Sequence, residues 1–370
     1  MSASPVVGRR RASRRPAART AALLLPVASL ALSACDARDD DFLSQVRPFE
    51  EFDAHASESE GDHYVLQHME PMTAPDWVPG AEAAHMLPTD PVVGYVSGEL
   101  AWALPWWIMN NYHVANLTLD GEAVCIILCE MCSSAAAWDP IVDGRRLHLR
   151  VNGLYNGTIC CIDDETGTWW TPFLGEGMSG PLKGTKLKRR RVDQATWADW
   201  LELHPATRVA TAPAALRQGH GERHIPGTAI LGPTMGRMIL HPDARLPKFD
   251  LVLGVDVGGA KRAYPMSALD RAGTFLEDTL GGREIVVFHK PGTYLAAAFL
   301  RTLDGKELRF TRGEDGAALD SGTGSRWNAA GVARDGPLAG RKLDPVVYAM
   351  EEWYSWATQH PGTSIHGVAE

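Results

Sequence analysis

The feature that most constrains this chain is an internal repetition: a series of motifs recurs in the same order, at an offset that drifts only from 160 or 161 to 156 residues. Gly94–Pro105 (GYVSGELAWALP) parallels Gly254–Pro265 (GVDVGGAKRAYP), and Asp143-Gly144-Arg145-Arg146-Leu147 parallels Asp304-Gly305-Lys306-Glu307-Leu308. Asp163-x-x-Thr166-Gly167-Thr168-x-Trp170 is matched by Asp320-x-x-Thr323-Gly324-Ser325-x-Trp327, and Gly180-Pro181-Leu182 by Gly336-Pro337-Leu338. Both series close on Trp-x-x-Trp-x-x-x-His-Pro-x-Thr, at Trp197–Thr207 and Trp353–Thr363. Motifs in register over this span imply one module present twice.

Within a copy the pattern predicts an α+β fold: strands joined by glycine turns, with one or two short helices, so that the chain holds two tandem copies of a strand-rich module. Val92–Tyr95 and Leu100–Leu104 flank a Ser-Gly turn and predict a hairpin. Ala123–Leu128 is a continuous apolar run with the look of a buried strand, and Arg146–Val151 alternates, placing Leu147, Leu149 and Val151 on one face. Thr196 caps a helix that sets Trp197, Trp200 and Leu201 at helical spacing before Pro205 stops it. Motifs held in both copies serve the shared fold: Thr-Gly-x-x-Trp is a turn delivering an aromatic to the core, and His204 and His360 belong to helix ends.

The copies are expected at 89–211 and 247–370, joined by a Gly-, Pro- and His-bearing linker over 212–246 and preceded by a tether and extended lead-in over 35–88. Residues 1–34 are of another kind. Arg9, Arg10, Arg11, Arg14, Arg15 and Arg19 precede an apolar run from Ala21 to Leu32, too short for the roughly 20 residues of a spanning helix and followed by small residues before Cys35. This is the pattern of a secretory signal peptide, and Leu32-Ser33-Ala34-Cys35 resembles the lipobox of bacterial lipoproteins, which makes Cys35 the expected lipid anchor. The expected place is the bacterial cell envelope, lipid-anchored, facing the periplasm or the exterior. Removing the leader takes away those arginines and no acid, so the formal charge moves from −9 to −15, which excludes nucleic acid as a partner. The basic run Lys183–Arg191 fits an edge strand kept soluble by charge.

Chemistry is expected where the copies differ. Alignment sets Cys125 opposite Val286, Cys129 opposite Lys290, Cys132 opposite Thr293 and His113 opposite Thr274, so a cysteine site belongs to the first copy only. Cys129-Glu130-Met131-Cys132 follows the buried strand, and its spacing suits either a small redox-active disulfide or two thiolates at one corner of a metal site. In the redox reading, one of Cys129 and Cys132 attacks, the other resolves, and Glu130 between them raises the thiolate pKa. In the metal reading, a thiophilic ion (copper or zinc) takes Cys129 and Cys132 with His113 and Cys160 or Cys161, with Cys125 and His148 as further candidates. A third reading is a non-catalytic binding scaffold whose cysteines only staple the first copy. The partners implied are the membrane, through Cys35, and an envelope redox or metal partner protein.

From about Asp76 to the end the chain resembles the domain-of-unknown-function 3179 family (DUF3179). The resemblance is carried by Pro105, Asn116, Cys129, Cys132, Thr166-Gly167, Trp170, Gly180-Pro181-Leu182, Trp197, Trp200 and His204-Pro205. It continues through Tyr264-Pro265, Asp278-Thr279, Thr323-Gly324-Ser325-x-Trp327 and the final Trp-x-x-Trp. Members of that family carry Cys-Pro-Leu-Cys-Gly where this chain has Cys129-Glu130-Met131-Cys132-Ser133, and a histidine before the family's Asn where this chain has Tyr112-His113. Some members are selenoproteins, which implies redox chemistry at this motif, and the family supplies no established activity.

Overall fold

The computed structural model describes residues 64–212, 226–227 and 239–368. The leader, Cys35 and most of the expected linker lie outside these residues. The fold is strand-rich with few short helices, as the alternating and apolar runs imply.

In the first half, the hairpin Pro91–Ser97/Leu100–Pro105 forms the centre of a five-stranded sheet in the order Val192–Thr196, Pro91–Ser97, Leu100–Pro105, Arg208–Ala210, Trp77–Pro79. All neighbours are antiparallel except Arg208–Ala210, which runs parallel to Leu100–Pro105. Successive side chains of a strand point to opposite faces, and here both faces are covered. Val93, Tyr95 and Leu104 join the core shared with a second sheet, while Val92, Ala101, Ala103 and Ala195 pack beneath the helix Trp197–Leu203 with Trp197 and Trp200. Coverage on both sides is why these strands carry apolar residues at consecutive positions.

The second sheet has the order Lys188–Arg190, Ser134–Asp139, Glu122–Cys129, Val114–Leu119. Lys188–Arg190 is an edge strand, as the basic run predicts, and its charges are engaged: Arg190 pairs with Asp139 and Arg189 reaches the Phe173 and Tyr348 carbonyls. A third sheet runs Tyr64–Met69, Leu149–Tyr155, Thr158–Asp163, Trp169–Thr171, Glu176–Ser179, so the extended lead-in contributes an edge strand. The single strand expected over Arg146–Val151 is broken at Leu147 and His148. Their N–H groups go to the Pro140 carbonyl and the Glu165 carboxylate, which splits the run between a two-residue ribbon and Leu149–Tyr155.

The second half has sheets in the orders Val347–Glu352, Leu251–Val257, Ala260–Pro265, Ser364–Ile365, then Phe275–Leu280, Arg283–His289, Ala296–Leu300, then Phe310–Arg312, Ala318–Asp320, Arg326–Trp327. Small-scale details recur in it. Gly94 faces the Trp200 ring and Gly254 the Trp356 ring, each so closely that a Cβ would lie 2.2 Å from ring carbon. Trp200 donates to Thr207 Oγ1 at 2.9 Å and Trp356 to Thr363 Oγ1 at 3.0 Å, while His204 and His360 stack on those indoles. Both histidines are the C-cap residue of their helix, donating a backbone N–H to the Trp200 or Trp356 carbonyl. Asp163 and Asp320 organise the two Thr-Gly turns and accept from the indoles of Trp170 and Trp327.

The halves dock reciprocally. Ser134–Asp139 of the first lies against Val347–Glu352 of the second, and Ala296–Leu300 of the second lies against Val192–Thr196 of the first. Leu295 thereby enters the first half's core beneath the Trp197–Leu203 helix.

Candidate functional site

Strand Glu122–Cys129 alternates as its sequence demands. Val124, Ile126 and Leu128 enter the core between the two sheets, which sends Cys125, Ile127 and Cys129 to the opposite face. After Cys129 the chain makes a single 3-10 turn, Glu130–Cys132, and re-enters the sheet at Ser134. The reversal requires Ser133 in the left-handed region, with φ of 52°. Glycine takes this conformation without strain, and a serine there costs roughly 1 kcal/mol. A glycine would sit there freely, so the serine's hydroxyl must justify its place.

The 3-10 turn folds Cys132 back on Cys129. The Cys132 thiol lies 3.8 Å from the Cys129 carbonyl and 3.3 Å from the Thr158 hydroxyl. Burial pushes the Cys129 thiol up, but hydrogen bonds from the Cys132 thiol and N–H, from the Thr158 hydroxyl and from the Ile159 N–H outweigh it and hold Cys129 below the ordinary thiol value. Cys132 goes the other way, raised well above it by burial and by the neighbouring Cys129. Glu130, expected from sequence to raise a thiolate pKa, is not among the groups that shift either thiol. The two thiols of this one turn are thus shifted in opposite directions.

The other candidate residues are placed elsewhere. His113, also at positive φ, turns its ring to the Leu128 carbonyl, with Nδ1 2.9 Å away, and burial lowers its pKa. Cys160 and Cys161 follow one another on Thr158–Asp163, both buried; burial raises both thiols, and the neighbouring Cys160 and Cys125 raise Cys161 further. Burial pushes Cys125 up to about 12. His148 pairs with Glu165 at 2.7 Å, remote in role from the thiols. Among the described residues, no three or more His, Cys, Asp or Glu side chains gather as a metal would require, and no disulfide joins the five cysteines there.

What the sequence did not flag is the second half's contribution. Ser133 Oγ donates to Glu352 Oε1 at 3.1 Å and accepts from the Gly227 N–H at 3.0 Å. Ser134 Oγ lies 3.4 Å from Ser355 Oγ, and the Tyr354 hydroxyl lies 3.2 Å from the carbonyls of both Met131 and Gly157. Gln194 bridges the halves, donating to the Ser133 and Met350 carbonyls. The one sequence signal was the pair Glu351-Glu352 at the end of an apolar strand, a costly place for carboxyls unless they serve something. Burial raises Glu352 to about 9. Both cysteine side chains have no exposed surface.

None of the curated proteins or solved structures matches the chain. The family model described as a protein of unknown function (DUF3179) matches residues 71–363, and the chain belongs to that family.

Proposed function

We propose that Cys129 and Cys132 form a thiol-redox pair, with Cys129 as the attacking thiolate and Cys132 as the resolving thiol, so that the protein acts as a thiol oxidoreductase or redox sensor. The observation that carries this reading is the 3-10 turn that sets the Cys132 thiol 3.8 Å from the Cys129 carbonyl and 3.3 Å from the Thr158 hydroxyl, so that donor groups surround the pair and lower the Cys129 thiol while Cys132 is raised. A structural cysteine in an apolar core has no use for such donors, whereas a nucleophilic thiolate depends on them. Since both sulfurs are buried, exchange with an outside thiol or disulfide proceeds through local opening, and its rate reports that opening.

The second reading, metal binding or delivery, rests on the same two sulfurs alone. His113, Cys160 and Cys161 do not gather with them, which leaves zinc short of its four ligands, while a soft copper(I) ion suits a pair of thiolates. The scaffold reading treats the pair as inert.

We also propose that the chain is one module used twice, at 89–211 and 247–370, supported by the matching strand orders and by the paired Gly–Trp, Trp–Thr and Asp–Trp contacts. The lipid anchor at Cys35 and the envelope location rest on the leader sequence. Among the described residues no helix is long and apolar enough to cross a membrane.

Metal analysis with thiol titration on the purified protein, beside Cys129→Ser/Cys132→Ser, tests these readings together. A metal-free pair that cycles between dithiol and disulfide at a measurable potential supports the redox role. Stoichiometric metal lost in the double variant replaces it with metal binding, and an unreactive pair leaves only the scaffold.

A further inference from the structure

Glu352 ends the strand Val347–Glu352 and its side chain is fully buried against the first half's cysteine turn. One carboxyl oxygen accepts from Ser133, and the other, Oε2, has no hydrogen-bond partner among the described residues. An ionised carboxylate in that position would leave a charged oxygen unsolvated, at a cost of several kcal/mol, so the group keeps its proton. Burial, with Cys132 beside it adding to the effect, raises its titration to about 9. The titratable groups around it are Cys132 and Cys129 across the seam and Glu351 and Tyr354 on its own segment. Glu351 is engaged by Ser355 and Gln359, and Tyr354 by the Met131 and Gly157 carbonyls, so neither has a proton as free to move as that of Glu352.

Cys132 needs a proton at one moment. When the Cys129–Cys132 disulfide is opened, Cys132 leaves as a thiolate in a place where burial opposes its charge. Resting on the thiol-redox reading, we propose that Glu352 is the proton donor to the Cys132 sulfur as that disulfide opens, so that the second half of the chain completes the first half's site.

The step balances as follows. An external thiolate attacks the Cys129 sulfur, forming a mixed disulfide; the bond between Cys129 and Cys132 breaks with its electron pair on Cys132. The Glu352 proton passes to that sulfur, and the resulting carboxylate regains a proton released by the external thiols as they ionise. A second external thiolate then attacks the external sulfur of the mixed disulfide and frees Cys129 as the thiolate its donors favour. Two external thiols are oxidised to one disulfide, and the pair is reduced.

The role explains Ser133. Its hydroxyl holds one Glu352 oxygen, which leaves Oε2 as the oxygen available to carry the proton. Glycine would relieve the strain at this position and lose that orientation.

The test is the rate of opening of the oxidised pair by dithiothreitol, expressed per dithiothreitol thiolate, in the whole protein from pH 6 to 10. In the wild type the rate is constant at low pH and falls as pH rises through the titration of Glu352, which burial holds above the ordinary carboxyl value. In Glu352→Gln, which fills the same space and still accepts from Ser133, the rate at neutral pH is lower by at least about tenfold and the fall near the carboxyl titration vanishes. Glu352→Asp, which keeps an acid, restores part of the rate and the inflection. Should the Gln variant fail to fold, the wild type alone decides: the infrared difference between oxidised and reduced protein contains a protonated-carboxyl band that changes. An unchanged rate and pH profile in Glu352→Gln, or no carboxyl band in the difference spectrum, overturns the role of Glu352 while leaving the redox pair standing. A wild-type pair that dithiothreitol cannot open overturns both.

Discussion

The ammonium of Lys290 lies 2.6 Å from a carboxylate oxygen of Asp199, tying the second half's loop to the first half's helix. Alignment sets Lys290 where the first copy has Cys129, so the place that holds a thiol at one seam holds an ion pair at the other. Asp199 is nearly buried and Lys290 is about half exposed, so solvent screens part of the attraction. Removing only the ammonium leaves the acid without its main partner. Lys290→Met is expected to destabilise the protein by about 1–3 kcal/mol, and Lys290→Met/Asp199→Ala to recover most of that, because the isolated charge goes with its partner. Urea unfolding of the two variants decides it: equal losses in both would show that the acid does not need the lysine.

Gly94 and Gly254 are set by space. Each lies under a tryptophan ring, and a Cβ at Gly254 would meet Trp356 Cε3 at 2.2 Å. The ring is clamped by its bond to Thr363 and by the His360 stack, so it cannot withdraw. Gly254→Ala is expected to cost about 3 kcal/mol, the upper part of the usual overpacking range, and Gly94→Ala about the same. Denaturation midpoints measure both. A neutral effect at either would mean that the helix above it shifts freely.

Much of this was legible because it is local. The hairpin with its turn, the buried strand ending in Cys129, the Thr196 cap and the two Thr-Gly turns each depend on residues a few positions apart, and the structure has all of them. Cys129 and Cys132 come together because a 3-10 turn links them. The remainder of the site was not legible, because Ser133 and Glu352 meet across 219 positions and only the docking of the halves brings them together. Repetition even hid Glu352: at the offset of 156 it stands opposite Thr196, a helix cap, so a comparison of copies assigns it the same modest duty. His113 and the Cys160-Cys161 pair failed to join the thiols for a related reason. A strand face or a left-handed turn fixes a side chain's direction, and sequence spacing does not say which surface that direction meets.

His360 gives a prediction with a definite sign. Burial against Trp356 lowers its pKa to about 4, below the value of about 6.5 expected in the unfolded chain. Between those values the unfolded chain binds a proton that the folded one refuses, so stability rises with pH across that window. The contribution is complete above about pH 6.5 and is lost as pH falls toward 4, by up to about 3 kcal/mol. His360→Gln is expected to lower stability at neutral pH yet flatten this part of the profile. Unfolding free energies at several pH values, wild type beside variant, test it, and parallel curves would mean that carboxylates alone set the acid limit.

The ionisation of Cys129 itself is the most direct consequence of the site. Cys132, the Thr158 hydroxyl and the Ile159 N–H beside it lower its pKa against the cost of burial. Thr158→Val removes one donor without changing the shape of the side chain by much, and leaves the Ile159 N–H in place. The thiolate absorbance of the reduced protein is therefore expected to titrate first at a pH below the ordinary thiol value, and to move upward by about one unit in Thr158→Val, the size of one charge-assisted hydrogen bond. Cys132→Ala should move it further, since Cys132 does most to offset the burial of Cys129, and Cys129→Ala should abolish the early step and leave only high-pH ionisation. If the early step instead survives in Cys129→Ala and vanishes in Cys132→Ala, the roles of attacking and resolving sulfur are reversed. The proton carried by Glu352 would then have to reach Cys129.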